Sequence, residues 1–347
     1  MRILIDIKHP AHVHVFKNFI IHMKKKGHDV MVTAREKEMT TYLLNKYGIP
    51  FTTISKIGKS KIALLKELIL RNWKFYLIAR KFKPNLMMEL MGVTGAPVGW
   101  FMRVPSLVYY DTENARLTNK IAYTFCTKFV TPNCYKEKLG KKNLRYKGYH
   151  ELAYLHPNYF KPDFNIIKDY VNEGERFTIV RFVSWGASHD IGHPGITEEM
   201  KIKAVKEFAK YGKVFITSEK NVPKEIEQYK LKLPPEHIHH LQAYATLLFG
   251  ESATMASECA CLGTYSIYID NEGRGYTDEE EKKYQLVFNF SESADDQKKA
   301  IKKGIDILKR KDPKKEAMAK AKKLLADTVD VTDYMMKLAV KYGKKGE

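Results

Sequence analysis

Gly250-Glu251-Ser252-Ala253-Thr254-Met255-Ala256-Ser257-Glu258, running into Cys259-Ala260-Cys261-Leu262-Gly263, is the stretch whose reading decides the fold. Ahead of it lies the apolar run Ala245–Phe249, short enough to be a buried strand. Behind the turn, Met255, Cys259 and Leu262 recur at helical spacing. Strand, small-residue turn and helix is the unit by which an α/β sheet offers backbone N–H groups and a positive helix end to an anion. Ser252, Ala253, Thr254 and Met255 form that first turn, and the first three are small enough for a diphosphate to reach the backbone. Glu258, about one helical turn on, can accept hydrogen bonds from ribose hydroxyls. The alternative is a plain corner with Ser252 as N-cap and Glu258 in solvent.

The same alternation extends outward in both directions. Met1–Ile7 reads as a buried strand, Lys8–His12 as a loop, Val13–Lys26 as a helix closed by Gly27, and Asp29–Thr33 as the next strand. Further strands are expected at Phe51–Thr53, Asn85–Leu90, Ser106–Tyr110 and Lys128–Thr131. A second series runs through Arg176–Val180, Lys213–Thr217, His237–His240, Leu247–Phe249 and Ser266–Ile269. Repeated βα units predict an α/β protein with parallel sheets. The aromatic, proline-bearing stretch His156–Pro162 marks a boundary, giving a first domain over 1–158, a second over 159–330 and a final helix within 331–347. With 347 residues, 44% of them hydrophobic, the chain can bury two cores.

Three resemblances sharpen this reading. Glu251–Thr254 and Glu258–Gly263 resemble, without a gap, the Asp-Ser-Gly-Gly-x-x-x-Glu-Ala-x-x-Leu-Gly signature of the UDP-N-acetylglucosamine 2-epimerases. The departures are Ala253 and Thr254 for two glycines, and Tyr265 for a proline. The interval from His12 to Gly27 is similar to the Gly-Gly-His-x-x-Pro opening of the MurG-type lipid-linked N-acetylglucosaminyltransferases, with His9-Pro10-Ala11 replacing the glycines. The whole chain resembles an archaeal family of about this length, a domain of unknown function grouped with sugar-nucleotide enzymes. These resemblances imply the GT-B fold, two Rossmann-like parallel-sheet domains facing across a cleft, with the last helix bracing the first domain. They also imply a ribose-holding role for Glu258 and a general-base position for His12. Val93 stands where the epimerases' Val-x-Gly-Asp-Thr carries its proton-transferring Asp, which weighs against epimerisation.

In open α/β sheets ligands lie beyond the carboxyl ends of the strands, so the loops there carry the candidate residues. After the first strand, His9, His12 and His14 are spaced poorly for zinc. A neutral His12 can take a proton from an acceptor hydroxyl, or it can simply cap the helix. His9 lies beside it in the expected cleft, and His14 faces the other way. Gly92, Thr94 and Gly95 permit close approach of a sugar or phosphate. Asp111 and Glu113, the latter resembling the Glu of the epimerase His-x-Glu-Ala-Gly-Leu-Arg motif, supply a base and a hydrogen-bond acceptor; otherwise Asp111 or Thr112 caps the next helix. In the loop expected after 176–180, Arg181 suits diphosphate charge, Ser184 the nucleotide, and Trp185, His189 and Asp190 the sugar or acceptor. Arg274 is a second diphosphate clamp. Ser218 or Glu219 falls near the base, and His237, His239 and His240 read as structural.

Sixty Lys and Arg against 40 Asp and Glu give a net charge of +20 and favour anionic partners, although a lysine-rich solvated surface reads the same way. No nucleic-acid-binding signature appears. No Asp-x-Asp pair sits at a strand end, so no metal and no cofactor is expected beyond the donor itself. The four cysteines form no C-x-x-C pair and read as reduced, buried thiols. With no signal peptide and no run of about 18 apolar residues, the expectation is a cytoplasmic protein. Residues 57–83 mix leucines, isoleucines and Trp73 with eight Lys and Arg. They fit a packed domain helix with basic ends, or a helix resting one side on an anionic membrane. The combined expectation is a glycosyltransferase using an NDP-sugar, a UDP-sugar foremost. A sugar-nucleotide epimerase or hydrolase, and a non-catalytic nucleotide-sugar or polyanion binder, are the alternatives. Base, sugar, acceptor, stereochemistry and oligomeric state stay open.

Overall fold

Strand and helix alternate from the first residues of the computed structural model, which describes residues 1–37, 39–58, 60–113, 115–183, 195–218 and 221–344. The first series is β1 (Arg2–Ile7), α1 (Pro10–Lys25), β2 (Asp29–Glu36), α2 (Thr40–Lys46), β3 (Thr52–Lys56), α3 (Lys61–Phe82), β4 (Leu86–Leu90), α4 (Gly95–Met102), β5 (Ser106–Tyr109), α5 (Arg116–Phe125), β6 (Lys128–Pro132), β7 (Asn143–Tyr146) and α6 (Leu152–Leu155). The second is β8 (Phe177–Phe182), α7 (Glu198–Phe208), β9 (Lys213–Ser218), α8 (Ile238–Tyr244), β10 (Leu247–Gly250), α9 (Ala253–Cys261), β11 (Tyr265–Ile269), α10 (Gly275–Glu279), β12 (Val287–Phe290), α11 (Ala294–Leu308) and α12 (Pro313–Asp327), followed by α13 (Val331–Gly343). Met1–Tyr159 with the chain from Val329 onward form one compact unit, and Phe160–Thr328 form the other.

Both sheets are wholly parallel, as continuous apolar strands covered by helices require. The first has the order β3-β2-β1-β4-β5-β6-β7 and the second β12-β11-β10-β8-β9. Strands β1 and β4 are buried along nearly their whole length, and Leu4, Phe75, Ala79, Phe82 and Met87 join in one core cluster. Helix α13 completes the first unit, where Thr332 Oγ1 donates to the Ala153 carbonyl at 2.8 Å and the Tyr146 and Tyr334 rings lie 5.4 Å apart.

The structure departs from the sequence expectations at four points. His237–His240 is not a strand: Pro234 and Pro235 lead into a single 3-10 turn, Pro235–His237, which continues as α8. A proline that pre-sets φ and lacks an N–H starts a helix far more readily than a ladder. Strands β7 and β12 were absent from the sequence reading. Arg181 lies inside β8 rather than in the loop after it, because Phe182 extends the buried run. Among the cysteines, Cys134 is half-buried, not buried.

Candidate functional site

Strand order locates the switch points where a doubly wound sheet binds ligands. In the second unit the chain leaves β8 first toward β9 and later toward β10, so the switch lies between β8 and β10. There Arg181 and Gly250 face each other in register. Gly250 has φ +156°, and a Cβ on it would lie 2.0 Å from the Arg181 carbonyl oxygen, so only glycine fits. The chain then turns into α9, with Ser252 Oγ accepting the Met255 N–H at 3.3 Å. Ser252 is thus the N-cap, and the N–H groups of Ala253 and Thr254 are those a helix leaves without intrahelical partners. Ser252, Ala253, Thr254 and Met255 are all half-buried, which leaves the corner open to solvent.

Two carboxylates flank this turn. Glu251 accepts the Val183 N–H at 2.9 Å and the Ile196 N–H at 2.6 Å, so one side chain joins the end of β8 to the approach to α7. Glu292 adds a bond from the Gly195 N–H at 3.0 Å. Glu258 is buried rather than solvated. Its Oε1 lies 3.1 Å from His239 Nε2 and its Oε2 accepts from Gln242 Nε2 at 2.8 Å. Both partners belong to α8, so the carboxylate is held in place from that helix. Arg274 sits at the N-cap of α10, donates to the Gly273 carbonyl at 2.6 Å, and lies 4.0 and 3.9 Å from Asp270 and Glu272. Ser218 ends β9. Ser184, Trp185, His189, Asp190 and Glu219 lie outside the described residues.

In the first unit the switch falls between β1 and β4. Asp6 and Glu89 are register partners on these strands, both buried. Lys8 Nζ lies 2.5 Å from Glu89 and 3.5 Å from Asp6, and Arg71 Nη2 lies 2.5 Å from Asp6. Burial alone would push the Asp6 carboxyl up; Arg71, Lys8 and a bond from Thr33 more than offset it and hold the group below its ordinary value. Sequence spacing does not reveal this two-acid, two-base cluster, and Arg71, one of the eight basic residues of 57–83, points into it. Arg71 lies on the inner side of α3, one and two turns before Phe75 and Ala79.

Glu89 also corrects the reading of the loop after β4. It accepts the Thr94 and Ala96 N–H groups at 3.3 and 2.7 Å, filling the N-terminus of α4 that an anion would otherwise enter. Gly92 and Gly95 do not open toward a ligand. A Cβ on Gly92 would strike Ala122 at 2.4 Å, and one on Gly95 would meet Glu89 at 3.0 Å. Thr94 is fully buried.

The histidines of the first loop diverge. His9 is the N-cap of α1, its Nδ1 accepting the Ala11 N–H at 3.2 Å, so α1 starts at Pro10 instead of Val13. His14 packs its ring 5.3 Å from that of Tyr154. His12, inside the first turn, has Nδ1 3.4 Å from the Lys8 N–H. Burial first, then the charges of His9, Lys8, Lys37 and Arg71, push its pKa well below the usual imidazole value, so it is neutral at pH 7. Among the described residues no three His, Cys, Asp or Glu side chains converge as metal ligands.

Beyond β5, Asp111 Oδ1 accepts from Thr112 Oγ1 at 3.0 Å and its Oδ2 lies 3.1 Å from Nδ1 of the buried His150. The capping alternative fails, because α5 begins at Arg116 after Ala115, with no side-chain cap. Glu113 Oε1 accepts the Lys136 N–H at 3.1 Å, while Oε2 is buried with no hydrogen-bond partner among the described residues. Burial raises the Glu113 pKa above its ordinary value. His150 is a further residue that sequence spacing does not reveal; it lies 39 positions from Asp111, and only the fold joins them.

Two parallel sheets, each with a switch point, define the fold class of the GT-B glycosyltransferases and sugar-nucleotide epimerases. The chain is similar to the UDP-GlcNAc 2-epimerase from Neisseria meningitidis bound to UDP-GlcNAc, with TM-score 0.71 and 11% identity over 98% of this chain and all of that one. It is also similar to the spinosyn rhamnosyltransferase SpnG complexed with thymidine diphosphate, with TM-score 0.64 and 11% identity over 97% of this chain and all of that one. At such identities the likeness shows the fold. The chain belongs to the family DUF354, a protein family of unknown function, which it matches over residues 1–335. It is 25% identical to the uncharacterized protein MJ0665 of Methanocaldococcus jannaschii over 281 residues, 76% of this chain and 81% of that one.

Proposed function

We propose that the protein transfers a sugar from a nucleoside diphosphate sugar, a UDP-sugar foremost, to a glycan or lipid-linked acceptor. The observation that carries this reading is the corner at β10 and α9: a glycine-only turn at a sheet switch point, solvent-open, with a braced carboxylate one turn along. The N–H groups of Ala253 and Thr254 receive the diphosphate, Glu258 holds the ribose, and Arg181 and Arg274 balance the charge that grows as the diphosphate leaves. Ser184, Trp185, His189 and Asp190 are assigned to the nucleotide and sugar on sequence grounds. The bond from anomeric carbon to diphosphate oxygen breaks with its electron pair going to the diphosphate, while the acceptor oxygen bonds to that carbon. The acceptor's proton passes to His12, Asp111 or Glu113. No metal or cofactor is assigned a part.

Similarity to an epimerase, with the higher of the two TM-scores, keeps sugar-nucleotide epimerisation as the second reading. Val93 and the occupied carboxylate of Glu89 both count against it, since neither offers a free acid/base group after β4. Incubation with UDP-, GDP- and CMP-sugars separates the readings. Acceptor-dependent nucleotide release supports transfer, isomerised sugar supports epimerisation, and binding without turnover rejects both.

A further inference from the structure

Helix α3 is apolar on two sides. Arg71, Phe75, Ala79 and Phe82 fall on the inner side and are buried. Ile62, Leu65, Ile69 and Trp73, at helical spacing on the opposite side, are between 59% and 71% exposed. Trp100 and Phe101 of α4 continue this surface, at 63% and 68% exposed. The Trp73 and Tyr76 rings lie 5.6 Å apart, as do those of Tyr76 and Phe101, so the surface runs unbroken from one helix to the next. Among the described residues 14 large hydrophobic side chains are exposed, and ten belong to α3, α4 and α5 (seven, two and one). Scattered exposed leucines are ordinary, but a contiguous aromatic face marks an interaction surface.

Charge selects the occupant. Lys66, Lys74, Arg80 and Lys81 are exposed on α3, and its one acid, Glu67, is bound to Arg35. A second copy docking across a two-fold axis would set these cations against themselves. Aromatic and aliphatic side chains ringed by cations match the boundary of an anionic bilayer, where tryptophan settles among headgroups and lysine meets phosphate. No helix among the described residues is long and apolar enough to cross a membrane, so the contact lies in the plane of the surface.

We propose that the outer face of α3, with Trp100 and Phe101, docks the protein on an anionic lipid bilayer. This goes beyond sugar transfer and holds whatever the donor. The test is co-sedimentation of the full chain with phosphatidylcholine vesicles, with and without phosphatidylglycerol. Binding should appear with the anionic lipid and weaken as salt rises. Trp73→Ser with Phe101→Ser should lower apparent affinity about tenfold or more, and Lys74→Glu with Arg80→Glu should remove the preference for anionic vesicles. All four residues are at least partly in solvent, and unchanged circular dichroism confirms that the variants fold. Indifference of the unaltered chain to phosphatidylglycerol overturns the proposal. So does a concentration-dependent dimer, abolished by Trp73→Ser with Phe101→Ser, in a protein that ignores vesicles.

Discussion

Arg71 sits mid-helix among lysines and leucines, yet its guanidinium is spent on Asp6 and Ser55. Arg71→Met should therefore cost about 3–5 kcal/mol in urea unfolding, because it strips a buried carboxylate of its main partner. Adding Asp6→Asn should recover part of that loss; an undiminished loss in the double variant would mean the pair is not coupled. His12 and Glu113 pose a different question at this scale. Burial shifts the imidazole down and the carboxyl up, and each loses its base form as pH falls. A loss of activity on the acid side of the pH profile therefore fits either base. Glu113→Gln and His12→Asn distinguish them: the variant that loses about 100-fold or more in kcat identifies the base, and equal small losses would dismiss both.

At the scale of elements, α9 is braced from behind as well as from α8. Ser257 Oγ donates to Glu280 at 2.6 Å, and full burial pushes the Glu280 carboxyl up to about 8. The folded protein thus holds a proton that the unfolded chain releases near pH 4.5. Stability from this group is complete below that pH and is lost as pH rises to about 8. Glu280→Gln should flatten the decline in melting temperature between pH 5 and 8, a difference on the order of a few kcal/mol. Identical pH profiles for the two proteins would show that the carboxyl is not held neutral. The elements also show what a sequence can reveal. The corner at 250–258 was readable because strand, turn and helix are adjacent in the chain. Strands β7 and β12 were not, since each has four residues with only one fully buried and no clean alternation. The caps from Glu89 and the clasp from Glu251 join residues that local periodicity never pairs.

For the whole molecule, the parallel α/β architecture followed from repeated βα units, whereas the residues at the switch points depended on strand order, which no local pattern encodes. If UDP rests on the α9 corner, calorimetry should show the melting transition of residues 160–328 rise by several degrees at saturating ligand. Glu258→Gln should shrink that rise. An unmoved transition in the unaltered protein would remove the nucleotide from this corner. Helix α13 has a consequence for biosynthesis. Val331, Met335 and Ala339 are buried in the unit begun by Met1, so that unit lacks part of its interior until the ribosome has passed them. The portion translated first is therefore completed last, and its sheet, already fully stranded, lacks one covering helix while the intervening portion is synthesised and folds.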